Sequence, residues 1–79
     1  MGYRARYSRK AEKYLDSQTE ATKRRIMDAV DGLPDGDVRK LTGREGYRLV
    51  VGGFRVVFER TDKEAIKVTA IGPRGDVYK

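Results

Sequence analysis

The side chains best suited to chemistry in this 79-residue sequence are arginines on an alternating pattern. Arg48 lies in Tyr47-Arg48-Leu49-Val50-Val51 and Arg55 in Phe54-Arg55-Val56-Val57-Phe58, on either side of Gly52-Gly53. A two-residue turn at the glycines sets 51 opposite 54 and 49 opposite 56. Val50 then faces Arg55, and Arg48 is the diagonal neighbour of Arg55, about 7–8 Å away between backbones. Guanidinium donors match phosphate oxygens in pairs, so two arginines at that spacing can hold one phosphate or two successive ones. Alone, the pair is explained as well by the polar side of a half-exposed sheet. It gains weight from Arg74, Tyr78 and Lys79, which follow the last apolar run.

Composition excludes several other chemistries. There is no histidine and no cysteine, so Ser-His-Asp and Cys-His catalysis are ruled out. A zinc site would have to use carboxylates alone, which is unusual. No P-loop or G-x-G-x-x-G occurs. The lack of cysteine suits a reducing cytosol and leaves no disulfide to brace the fold. No apolar run approaches the roughly 20 residues of a membrane span. Met1-Gly2-Tyr3-Arg4-Ala5-Arg6 lacks the apolar core of a signal peptide, and Arg6 stands where a myristoylation motif wants Ser or Thr. A cytoplasmic protein with no membrane partner is expected.

The formal net charge of +6 favours polyanionic partners. It is unevenly spread. Residues 1–38 hold 8 basic and 7 acidic side chains, and residues 39–79 hold 10 and 5.

The elements that must position these cations are legible in outline. Tyr3-Arg4-Ala5-Arg6-Tyr7 alternates as a short strand does. Ser8 can cap a helix running through Ala11, Tyr14 and Leu15. Ser17-Gln18-Thr19-Glu20 fits a capping box for a second helix, whose apolar stripe is Ile26, Ala29, Val30 and Leu33. Gly32 and Pro34 end it. Residues 34–46 are glycine-rich and are expected to form a loop with one helical turn at most, anchored by Leu41. Three strands follow: Gly46 to Val51, Phe54 to Arg60 and Ala65 to Ile71, with a reversal at Thr61-Asp62-Lys63-Glu64. Gly72-Pro73-Arg74-Gly75 breaks the last strand. The predicted class is α+β in the order β-α-α-β-β-β, two helices on one face of a curved antiparallel meander. Tyr47, Leu49, Val51, Phe54, Val56 and Phe58 form its apolar face. Arg48, Val50, Arg55, Val57 and Glu59 form the other.

The run from Tyr47 to Phe58, followed by Ile71-Gly72-Pro73-Arg74-Gly75-Asp76-Val77-Tyr78-Lys79, resembles the RelE/ParE toxin superfamily of type II toxin–antitoxin systems. Leu41-Thr42-Gly43 is similar to the loop that precedes the hairpin in that family. The resemblance is strongest over residues 39–79 and implies a single toxin domain over residues 1–79. Its RelE branch implies an mRNA interferase, an endoribonuclease that cuts mRNA in the ribosomal A site and is neutralised by an acidic antitoxin. By position, Arg48 falls where RelE-type enzymes place a catalytic lysine, Arg55 matches their hairpin arginine, Arg74 the arginine after the last strand, and Tyr78 the C-terminal tyrosine. Val50 departs from the pattern, which has a second lysine there. Arg39, Lys40, Arg44 and Lys79 are the RNA-binding candidates around this set.

The implied chemistry needs no cofactor or metal. The RNA 2′-OH attacks the adjacent phosphorus while the enzyme aligns it, neutralises charge and manages two protons. Arg55 and Arg74 suit charge stabilisation. Tyr78 can stack on a base, orient the 2′-OH or donate a proton. Arginine stays protonated, so Arg48 does not readily serve as a base. Asp35, Asp37, Glu45, Glu59 and Asp76 are the alternative bases. The partners implied are the ribosome, mRNA and an acidic antitoxin, the free toxin being a monomer and the neutralised form a hetero-oligomer. Two other functions remain open on the sequence: a ParE-like inhibitor of DNA gyrase, and a catalytically weak RNA-binding module.

Overall fold

The computed structural model describes residues 3–33, 35–43 and 45–73. The elements are β1 (Arg4–Tyr7), α1 (Arg9–Asp16), α2 (Glu20–Asp31), β2 (Asp37–Lys40), β3 (Tyr47–Val51), β4 (Phe54–Asp62) and β5 (Ala65–Pro73). The strands form one five-stranded sheet in the order β1-β5-β4-β3-β2. Strands β2 to β5 pair antiparallel, and β1 joins β5 in parallel. The two helices and the meander are where the sequence placed them.

Ser8 ties three elements together. Its Oγ accepts from the Ala11 backbone N–H at 3.1 Å, which caps α1, and donates to the Thr69 carbonyl at 3.1 Å. Its own N–H donates to the Val68 carbonyl at 2.9 Å, fixing the start of α1 against β5. The capping box expected at Ser17-Gln18-Thr19-Glu20 is not used. Ser17 instead closes α1, and Thr19 caps α2, its Oγ1 accepting from the Thr22 N–H at 3.2 Å. With two residues between the helix end at Ser17 and Glu20, Thr19 is the position next to the helix.

Residues 37–40 correct the expected loop. They form β2, an edge strand whose residues 37, 38, 39 and 40 pair with 50, 49, 48 and 47 of β3. Val38 is the single apolar residue in the four, so no local pattern announces the strand; pairing with β3 imposes it. Leu41, buried as expected, donates its N–H to the Gly46 carbonyl at 3.0 Å and closes the loop between β2 and β3. Gly46 has φ +117°, and a Cβ there would lie 3.2 Å from the Phe58 carbonyl, so this return requires glycine.

The core lies between the helices and one sheet face. Ala11, Leu15, Ile26, Val30 and Leu33 pack with Leu49, Val51, Val56, Phe58, Ile66, Val68 and Ile71. Tyr47 stacks on Phe58 at 5.6 Å between centroids, and Tyr14 meets Phe54 edge-on at 6.4 Å. The register around Gly52-Gly53 pairs Val51 with Phe54 and Leu49 with Val56, as a two-residue turn requires. Gly52 takes φ +58° in it, the conformation glycine favours at the first turn position.

Strand β4 runs on to Asp62 and β5 to Pro73, two residues beyond each expected end. A bulge interrupts their pairing: Val57 faces Ala70, but Phe58 faces Val68, leaving Thr69 as the extra residue. Thr69 Oγ1 donates to the Val57 carbonyl at 3.3 Å. The bulge inverts the side-chain parity of β5. Ile66 and Val68 face the helices with Ile71, while Lys67, Ala70 and Gly72 face away from them.

Candidate nucleic-acid interface

The sheet face turned away from the helices has the composition of an anion-binding surface. Directly paired residues share a face. One row across it is Arg39 on β2, Arg48 on β3, Val57 on β4 and Ala70 on β5. The next row is Asp37, Val50, Arg55 and Gly72. The hairpin register therefore makes Arg48 and Arg55 diagonal neighbours. Both are half-buried, and Val57 beside them is only 5% exposed, so their charges sit against an apolar floor.

Strand β2 adds what the sequence did not reveal. It sets Arg39 directly opposite Arg48. Like charges in that position are destabilising by some tenths of a kcal/mol, a cost that an anion between them reverses. Arg39 also lies 3.5 Å from the Asp37 carboxylate, an exposed ion pair of small energetic weight. Lys40, a second RNA-binding candidate, pairs with Tyr47 and so belongs to the other side of β2. It lines a hollow of about 320 Å³ with Glu45, Gly46, Tyr47, Glu59 and Arg60.

Of the five carboxylates named as possible bases, Asp37 and Glu59 are on the arginine face. Asp35 and Glu45 are exposed in loops. Arg44, Arg74, Asp76, Tyr78 and Lys79 lie outside the described residues. Among the described residues, no three acidic side chains are grouped to hold a metal ion. No described helix is long and apolar enough to cross a membrane.

Comparison with solved structures decides the family. The archaeal RelE–RelB complex from Pyrococcus horikoshii contains a chain 30% identical to this one, covering 98% of this chain and 100% of its own, with a TM-score of 0.75. This chain belongs to the RelE toxin family. The fold recurs in the toxin–antitoxin complex RelBE2 of Mycobacterium tuberculosis, at 14% identity over 96% of this chain and 95% of that one, with a TM-score of 0.74. It recurs also in free Escherichia coli toxin RelE, at 16% identity over 96% and 88%, with a TM-score of 0.59. No family model and no curated protein matches. Within the RelE fold of this chain, the open sheet face carries Arg39, Arg48 and Arg55 together.

Proposed function

We propose that this RelE-family toxin is an endoribonuclease that cuts mRNA in the ribosomal A site and so arrests translation. The observation that carries this is the convergence of Arg39, Arg48 and Arg55 on one open sheet face over an apolar floor. In the reaction proposed, the 2′-oxygen bonds to phosphorus as its proton leaves to a base, and the bond to the 5′-oxygen breaks as that oxygen takes a proton. A 2′,3′-cyclic phosphate remains. Arg55 and Arg48 hold the phosphate oxygens as charge builds on them, where paired guanidinium donors are strongest. Asp37 and Glu59 are the carboxylates on that face able to take the proton. Arg74, matched to the family by position, suits charge stabilisation beside the leaving oxygen, and Tyr78 suits stacking on a base, orienting the 2′-OH or donating a proton.

An acidic antitoxin that covers this face would neutralise the toxin by charge and by occupancy, which matches the net charge of +6. The cytoplasm, where ribosomes and reduced thiols are found, is the compartment proposed.

Primer extension on translated mRNA after induction tests the function. New 5′ ends that need ribosomes and vanish in Arg55→Ala are expected. Intact mRNA in growth-arrested cells would refute it, and supercoiling defects in those cells would move the target to gyrase.

A further inference from the structure

We propose that the RNA-binding face extends past the hairpin to Lys67 on β5 and Arg6 on β1, so that single-stranded RNA crosses the strands. This rests on the function proposed above. The parity inversion at Thr69 turns Lys67 to the arginine face, where it pairs with Glu59 on one side and Arg6 on the other. Arg4, two residues from Arg6, shares that face, while Ala5 and Tyr7 between and beyond them pack toward the helices. The corner thus holds Arg4, Arg6 and Lys67 against two acids, Glu59 opposite Lys67 and Asp62 opposite Ala65.

Two like-charged neighbour pairs mark the ends of the track. Arg39 faces Arg48 at one end, and Arg6 lies beside Lys67 at the other. Charges on an edge strand also discourage aggregation. That explanation covers Arg4 and Arg6 on the edge strand β1, but not a lysine beside Arg6 on the interior strand β5. From the register, Arg48 and Arg6 are three strand spacings and two residues apart. That is about 16 Å between backbones, too far for one phosphate and suited to several successive ones. Every strand of the sheet would then contribute to holding RNA, with Arg6 and Lys67 as positioning residues beyond the scissile phosphate.

Fluorescence anisotropy of full-length protein with 12-nucleotide and three-nucleotide single-stranded RNAs, over a range of salt, tests the track. Each lost phosphate contact lowers the slope of log affinity against log salt by about 0.7. The Arg6→Gln/Lys67→Gln double variant should lose about 1.4 from the slope with the long RNA. At 0.15 M salt that is a loss of about tenfold in affinity. The short RNA should change by less than about twofold, and Arg6→Lys should keep the parent's slope. Lys10→Gln/Lys13→Gln on α1 removes the same charge and should leave the slope unchanged. The proposal is overturned if the sheet variant keeps the parent's slope, if the α1 variant loses as much, or if the short RNA weakens equally. Failure of the proposed function is distinct: the parent would then bind neither RNA, or Arg48→Gln and Arg55→Gln would bind both as the parent does.

Discussion

Replacing Arg48 by lysine should convert a permanently charged site into one that can accept a proton. The new amine would face Arg39 directly and Arg55 diagonally, at about 5 and 7.5 Å between backbones. At the dielectric of water the two repulsions are about 0.8 and 0.6 kcal/mol. Their sum is about 1.4 kcal/mol. Asp37 and Glu59 are diagonal neighbours at the same distance as Arg55 and return about 1.1 of that 1.4 kcal/mol, so the neutral amine is less than about twofold more populated at a given pH than on an isolated lysine. Half-burial acts in the same direction, because it too disfavours the charged form. A well-placed general base contributes about 10²–10⁴-fold to a rate. Single-turnover cleavage of ribosome-bound mRNA by Arg48→Lys should therefore rise about tenfold per pH unit between pH 7 and 9. The parent, with an arginine that does not titrate, should lack that limb. Thermal melts of both proteins establish that the variant is folded. Parallel pH–rate profiles would refute the reasoning, and would place proton abstraction away from position 48.

Two further predictions concern the scaffold. The Tyr7 hydroxyl is buried without a hydrogen-bond partner among the described residues, and burial first, then the nearby Asp31 carboxylate, pushes its pKa from 10.0 up to about 12. Below pH 10 the folded and unfolded chains both hold that proton; between pH 10 and 12 the unfolded chain releases it first, so stability falls as pH rises. Tyr7→Phe should flatten this part of the alkaline limb in urea titrations and cost nothing at pH 7; an unchanged limb would contradict it. Ile26, fully buried under the sheet, should cost about 2–5 kcal/mol when truncated to alanine. A 79-residue domain commands only roughly 4–12 kcal/mol, so denaturant midpoints should drop steeply; a loss below about 1 kcal/mol would mean the site repacks.

The central hairpin was legible because two signals agreed. Period-two alternation on both sides of Gly52-Gly53 permits one register, and that register fixed Arg48 and Arg55 on one face before any coordinates. The neighbours of that pair were not legible, for three physical reasons. Strand β2 has one apolar residue and owes its conformation to β3. The bulge at Thr69 breaks the alternation by which the facing of Lys67 would be assigned. Strand β1 was visible as a strand, but its parallel union with β5 spans most of the chain and leaves no local mark. The resemblance to RelE toxins supplied roles for Arg48 and Arg55 that charge and spacing left open. It could not place Arg39 beside Arg48, since that contact depends on the unannounced strand.

The parallel union of β1 with β5 also sets a clock on synthesis. Arg4 pairs with Ala65, 61 positions later, so the first strand made must wait for the last strand of the sheet. At ordinary elongation rates that interval is about 3–12 s. Until then β1 has no partner, Ser8 has no Val68 or Thr69 carbonyl to bond, and the basic corner at Arg6 and Lys67 does not exist. A nascent chain of this toxin is an incomplete sheet until β5 has been made. The topology thus separates the making of the first strand from the assembly of the basic face, and delays the corner of that face at Arg6 and Lys67 until β5 has emerged.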